Sequence, residues 1–167
     1  MEIDESIFGT RKYNRGRSVK GTWVLGGVER NSSNSFFVRC DGNRRDHHTL
    51  IRLIREHVRP GSIIITDGWR GYNRLADHGY THMTVNHSQN FVNPITGAHT
   101  NTMEGSWFHA KRHLRRGTGW LRRDPHALAL ALGEFIWRKN LGLKQDGPSC
   151  ARYFSEEFPL LQNRVFS

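Results

Sequence analysis

The chain has 167 residues, 36% hydrophobic and 11% aromatic, enough for one domain with a packed core and too apolar for a disordered chain. Lys and Arg outnumber Asp and Glu 25 to 15, and the net charge of +10 favours a polyanionic partner. Two cysteines, Cys40 and Cys150, make no disulfide framework and fit an intracellular chain, while 10 histidines without a Cys-x-x-Cys or a familiar His spacing give no zinc site. No apolar run approaches the roughly 20 residues of a membrane span, so no membrane partner is expected.

Residues 2–8 alternate as a strand, with Ile3, Glu5 and Ile7 on one face and Glu2, Asp4 and Ser6 on the other. Residues 10–20 are basic and hydrophilic and read as a loop. Thr22 to Val28 and Ser35 to Cys40, joined by Asn31-Ser32-Ser33-Asn34, predict a hairpin. Asp46 caps a helix carrying Leu50, Ile51, Leu53, Ile54 and Val58, which Pro60-Gly61 ends. Ser62 to Thr66 predicts a strand buried on both faces, Gly68 to Leu75 a short helix, and Tyr80 to Val85 another strand. A polar loop over 86–100 leads into a helix over 101–116, which Gly117-Thr118-Gly119 breaks. Asp124-Pro125 starts a last helix that carries Leu128, Leu132, Phe135 and Ile136 toward the core and stops near Gly142. The order predicts an α/β domain over 1–142, a mixed sheet covered by helices, followed by a tail of uncertain order over 143–167.

Three carboxylates stand where strands or a helix can aim them at one point: Asp4 inside a strand, Asp67 at the end of an apolar strand, and Glu104 in the first turn of a helix. Convergent carboxylates in a basic chain suit Mg²⁺-dependent chemistry on a polyanion. Each has a plainer reading as well. Asp4 fits the wet face of an edge strand, Asp67 fits a turn start or helix cap, and Glu104 fits a solvated helix face. On the 101–116 helix, Met103, Trp107, Ala110 and Leu114 form one stripe, and Glu104 and Lys111 fall on an adjacent polar one. Glu2 and Glu5 are reserve carboxylates beside Asp4. His87, Asn90, His99 and Asn101 are polar groups able to orient a ligand or water. Two basic clusters suit phosphate contact: Arg11, Lys12, Arg15 and Arg17, and Lys111, Arg112, Arg115 and Arg116. Both also fit solvated charged surfaces.

The stretches Glu2-Ile3-Asp4-Glu5-Ser6, Gly61 through Tyr72, Val85-Asn86-His87-Ser88, and His99 through Trp107 with Lys111 resemble the catalytic domain of ISXO-type insertion-sequence transposases and their eukaryotic relatives, the Merlin transposons. The resemblance covers about residues 2–141. It implies an RNase H-like fold and an Asp-Asp-Glu site made of Asp4, Asp67 and Glu104, with Lys111 accompanying them and Asn101 as the alternative third member. Glu104 lies 37 positions after Asp67, a spacing typical of such sites. Two Mg²⁺ (or Mn²⁺) ions would be held by the three carboxylates for strand cleavage and transfer on DNA. The implied partners are transposon ends and target DNA, with a homo-oligomer as the active form. The setting would be nuclear for a eukaryotic copy, which is preferred, and cytoplasmic for a bacterial one. Such transposases carry an N-terminal DNA-binding region, and this chain opens on the first catalytic strand, so a truncated copy is expected. The alternatives are a non-catalytic DNA-binding protein derived from a transposase and another RNase H-like nuclease.

Overall fold

The computed structural model of the chain describes residues 1–9, 21–85, 100–116 and 125–143. The elements are β1 (Glu2–Phe8), β2 (Thr22–Val28), β3 (Ser35–Arg39), α1 (His47–His57), β4 (Ile63–Asp67), β5 (Thr81–Val85), α2 (Asn101–Arg116) and α3 (Pro125–Asn140). The expected loops over 10–20 and 86–99, the break at Gly117-Thr118-Gly119 and the tail from 144 lie outside the described residues.

The strands form one sheet in the order β3-β2-β1-β4-β5. β1, β2 and β3 pair antiparallel, while β4 runs parallel to both β1 and β5. This five-stranded mixed sheet with flanking helices is the RNase H-like α/β fold. β1 is therefore the central strand, and the edge-strand reading of Asp4 fails.

Alternation along the strands feeds two cores. Ile3, Leu25 and Ile64 point to the face covered by α1, where they meet Leu50, Leu53, Ile54, Tyr72 and Leu75. Phe8, Val24, Val28 and Phe37 point the other way and meet Met103, Trp107 and Ala110 of α2 and Leu128, Leu132 and Phe135 of α3. The helix and strand predictions hold closely for this reason: each apolar period matches one buried face. Asp46 caps α1 by accepting the Thr49 amide at 3.0 Å. Gly61, at φ +82°, makes the turn from α1 into β4 that a residue with a Cβ would resist.

Two predictions around β4 need correction. Ile63 is 51% exposed, so burial on both faces begins only at Ile64. The helix expected over Gly68 to Leu75 is instead a single 3₁₀ turn, Arg70–Tyr72, with a second at Ala76–His78 just beyond it. The Asp67 carboxylate takes the Trp69 amide at 2.9 Å, and Trp69 stays extended (φ −67°, ψ 129°), so no helix can start before Arg70. Among the described residues, no helix is long and apolar enough to cross a membrane.

Gly26 of β2 decides how closely α2 approaches the sheet. A Cβ there would lie 2.4 Å from Met103 Cε and 2.8 Å from Trp107 Cη2. Gly26→Ala is expected to destabilise the fold by about 1–3 kcal/mol, the usual cost of overpacking, measurable as a lower urea midpoint. An unchanged midpoint would mean that α2 does not sit on Gly26.

Candidate active site

Asp4 and Asp67 lie on neighbouring strands. The β1–β4 register pairs Glu2 with Ile65, and continuing it by two residues puts Asp4 abreast of Asp67 on the face that α2 covers. Asp4 Oδ2 accepts the Trp107 indole N–H at 2.9 Å. Trp107 in turn sits edge-on against Phe8 and Phe37, at ring separations of 5.7 and 5.1 Å, so its indole is fixed by packing. The Asp4 carboxyl is pushed up to about 6, chiefly by burial and then by the negative charge of Glu5, with Asp67 adding to it against the opposing Trp107 bond.

The rotation of α2 decides which way Glu104 faces. At about 100° per residue, Met103, Trp107, Ala110 and Leu114 centre on the sheet. His113 falls on one flank and Glu104 with Lys111 on the other. His113 meets Phe135 of α3, with ring centres 5.8 Å apart, and Phe135 meets Phe37 of β3 at 5.3 Å. The α3 flank therefore points toward β3, and the Glu104–Lys111 flank toward the β4 side of the sheet, while the helix itself rests on β1 and β2. Glu104 is exposed at this rim. Among the described residues, no three His, Cys, Asp or Glu side chains stand close enough together to hold a metal ion. The described geometry thus brings Asp4 together with Asp67 and does not gather Glu104 into one cluster with them. Asn101 lies about 60° farther around α2 from the buried stripe than Glu104. Lys111 Nζ lies 5.7 Å from the centre of the Phe8 ring, at the opposite end of β1 from Glu2.

The reserve carboxylates have other partners. Glu2 is fully buried, and its oxygens accept from the Met103 amide at 2.9 Å, Thr102 Oγ1 at 3.0 Å and Arg30 Nε at 2.8 Å. It anchors the first turn of α2, where a carboxylate meets free amides and the positive end of the helix dipole. Glu5 points to the opposite face and binds Arg45 Nη1 at 3.1 Å and the Tyr72 phenol. Sequence reasoning missed both pairings, and also Trp107 as the partner of Asp4. Trp107 read only as a core residue. Of the basic clusters, Arg112 is exposed on α2, Arg115 and Arg116 close that helix, and Arg11, Lys12, Arg15 and Arg17 lie outside the described residues, as do His87, Asn90 and His99.

An acidic pair at the centre of an RNase H-like sheet, beneath a helix bearing a further Glu and a Lys, coincides with a match to the family described as the ISXO2-like transposase domain, over residues 1–140. The chain belongs to the ISXO2-like transposase domain family. A Haemophilus influenzae protein described as an uncharacterized transposase-like protein is 37% identical over 92 residues, covering 55% of this chain and 71% of that protein. No solved structure matches the chain. The transposase domain spans all eight helices and strands described above, so Asp4, Asp67, Glu104 and Lys111 all fall within the matched region.

The raised carboxyl of Asp4 has a consequence for stability. Above pH 6 the ionised group burdens the fold. As pH falls through 6 toward the ordinary carboxylate range, the folded form takes up the proton first and the burden lifts. Asp4→Asn keeps an oxygen for the Trp107 N–H and removes the charge. It is therefore expected to stabilise the metal-free protein at pH 7 by on the order of 2 kcal/mol, with the gain over wild type shrinking as pH falls from 6 to 4. Thermal denaturation across that pH range measures it, and a gain independent of pH would contradict it.

Proposed function

We propose that this transposase domain cleaves and joins DNA strands by divalent-metal chemistry at Asp4, Asp67 and Glu104. The observation that carries the reading is Asp4 abreast of Asp67 at the sheet centre, in a chain whose overall charge is +10. The donor set fits a hard divalent cation, since it offers carboxylate oxygens alone. Crowding supports it too: burial and like charge push Asp4 toward protonation, and a cation between the two groups would relieve that repulsion. Bound there, a pair of Mg²⁺ or Mn²⁺ ions would activate a water or a DNA 3′-hydroxyl and stabilise the leaving oxygen of an in-line displacement at phosphorus.

The protein residues divide the remaining work. Trp107 holds Asp4 in one orientation through its indole N–H, and the Trp69 amide holds Asp67. Glu104 would supply the third carboxylate from the flank of α2 that faces the β4 side, drawn in when the cation and DNA bind. Lys111, two turns farther along the same flank, places a cation where the DNA backbone leaves the carboxylates. Arg112 adds a further cation to that helix, and Arg115, Arg116, Arg11, Lys12, Arg15 and Arg17 would add contacts to the DNA backbone. The pairing of Glu104 with Lys111 on one flank favours a transposase over another RNase H-like nuclease.

A nicking and strand-transfer assay on DNA with Mg²⁺ tests the reading. Asp67→Asn and Glu104→Gln are expected to lower cutting at least 100-fold while leaving DNA affinity within a few-fold of wild type. Lys111→Ala is expected to weaken DNA binding and flatten its salt dependence by about one unit of slope. Equal residual cutting by wild type and Asp67→Asn, with DNA binding intact, would instead identify a non-catalytic DNA-binding descendant.

A further inference from the structure

Backbone bonds join β1 and β4 only at one end. The ladder between them pairs Glu2 with Ile65, preceded by the Ile65 amide on Met1 O at 2.9 Å and the Met1 ammonium on Ile63 O at 2.7 Å. Asp4 and Asp67 lie two residues beyond that pairing, so the ladder by itself does not set their separation.

Side chains on the opposite face of the sheet span this gap. Glu5, the neighbour of Asp4, has a side chain only 3% exposed and accepts from Arg45 Nη1 at 3.1 Å and from the Tyr72 phenol. The Arg45 guanidinium lies between two indoles, 4.4 Å from the ring centre of Trp23 and 4.2 Å from that of Trp69. Trp69 gives its amide to Asp67 Oδ1 at 2.9 Å and its indole N–H to Arg45 O at 3.5 Å. Gly71 keeps the indole seated, because a Cβ there would lie 2.7 Å from Trp69 Nε1. A continuous chain of contacts therefore runs from Asp67 through Trp69 and Arg45 to Glu5, and so to the strand position beside Asp4. Tyr72, on the same segment as Trp69, makes a second tie to Glu5.

We propose that Arg45 is a positioning residue that fixes the separation of Asp4 and Asp67, and through it the affinity of the pair for a divalent cation. The inference rests on the reading of that pair as a cation site. A guanidinium suits the role because it has two flat faces for the indoles and an edge for the carboxylate. An ammonium keeps the charge but not the double stack. Arg45 touches neither aspartate, and acts through Trp69 on one side and Glu5 on the other.

Calorimetric titration of the full chain with Mn²⁺ tests it, each variant being measured well below its own melting midpoint. Asp67→Asn should show no saturable binding. Arg45→Met should weaken Mn²⁺ binding at least 10-fold, Arg45→Lys by less, and Tyr72→Phe by a few-fold. Raising Mn²⁺ should restore DNA cutting in Arg45→Met and not in Asp67→Asn. The direction is diagnostic: deleting a cation beside a cation site would, on charge alone, tighten Mn²⁺ binding. Should Arg45→Met fail to fold, Arg45→Lys and Tyr72→Phe carry the same test. Wild-type or tighter binding in the Arg45 and Tyr72 variants, with Asp67→Asn inert, overturns the positioning role and leaves the cation site standing. Equal binding by wild type and Asp67→Asn overturns both.

Discussion

The buried carboxylate of Glu2 sets where α2 lies. With no exposure to water, its charge must be met inside the protein, and Arg30, Thr102 Oγ1 and the Met103 amide meet it. That anchor fixes the first turn of α2 over the start of β1. The helix then follows β1 in the same direction, bringing Trp107 to Asp4 and Phe8, and Lys111 to Phe8. Gly26 admits the helix at close range. The flank bearing Glu104 faces the β4 side of the sheet as a result, since helical geometry fixes it once Met103 and Trp107 are seated on β1 and β2.

The site is a local inversion of the chain's charge. A protein of net charge +10 gathers Asp4, Glu5 and Asp67 around the central strands. Folding opposes such crowding, which is why the Asp4 carboxyl is driven upward. Glu5 is stabilised by Arg45 and Tyr72 on the far face, whereas Asp4 and Asp67 keep only N–H donors among the bonds described for them. The two faces of β1 thus have different tasks: one binds its carboxylate into the scaffold, and the other leaves an acidic pair available to a cation.

Most of the fold was legible because burial periods are local properties. β1 and β2 occupy the expected residues, and α1, α2 and α3 follow from their caps and apolar stripes. The segment after β4 was misread as a helix because its composition permits one, whereas the Asp67 carboxylate captures the Trp69 amide and Trp69 stays extended. Asp4 and Asp67 were legible as candidates because a carboxylate is costly inside or at the end of an apolar strand. Glu2 and Glu5 carry the same signal, and the sequence ranked them only as reserves to Asp4. What separates the four is their partners: Arg30 and the first turn of α2 for Glu2, Arg45 and Tyr72 for Glu5, all distant along the chain.

The sequence by itself determined the strand and helix segments, the basic character of the chain and the kinship with ISXO2-like transposases, because these reside in composition, period and motif. The tertiary structure alone decided that β1 is central and that Asp4 stands beside Asp67. It also decided that Trp107 holds Asp4 and that Arg45 is stacked between two indoles on the reverse face. Strand order and helix placement depend on contacts between residues up to about 100 positions apart, such as Glu2 with Met103, and no local pattern encodes which distant group a side chain will meet.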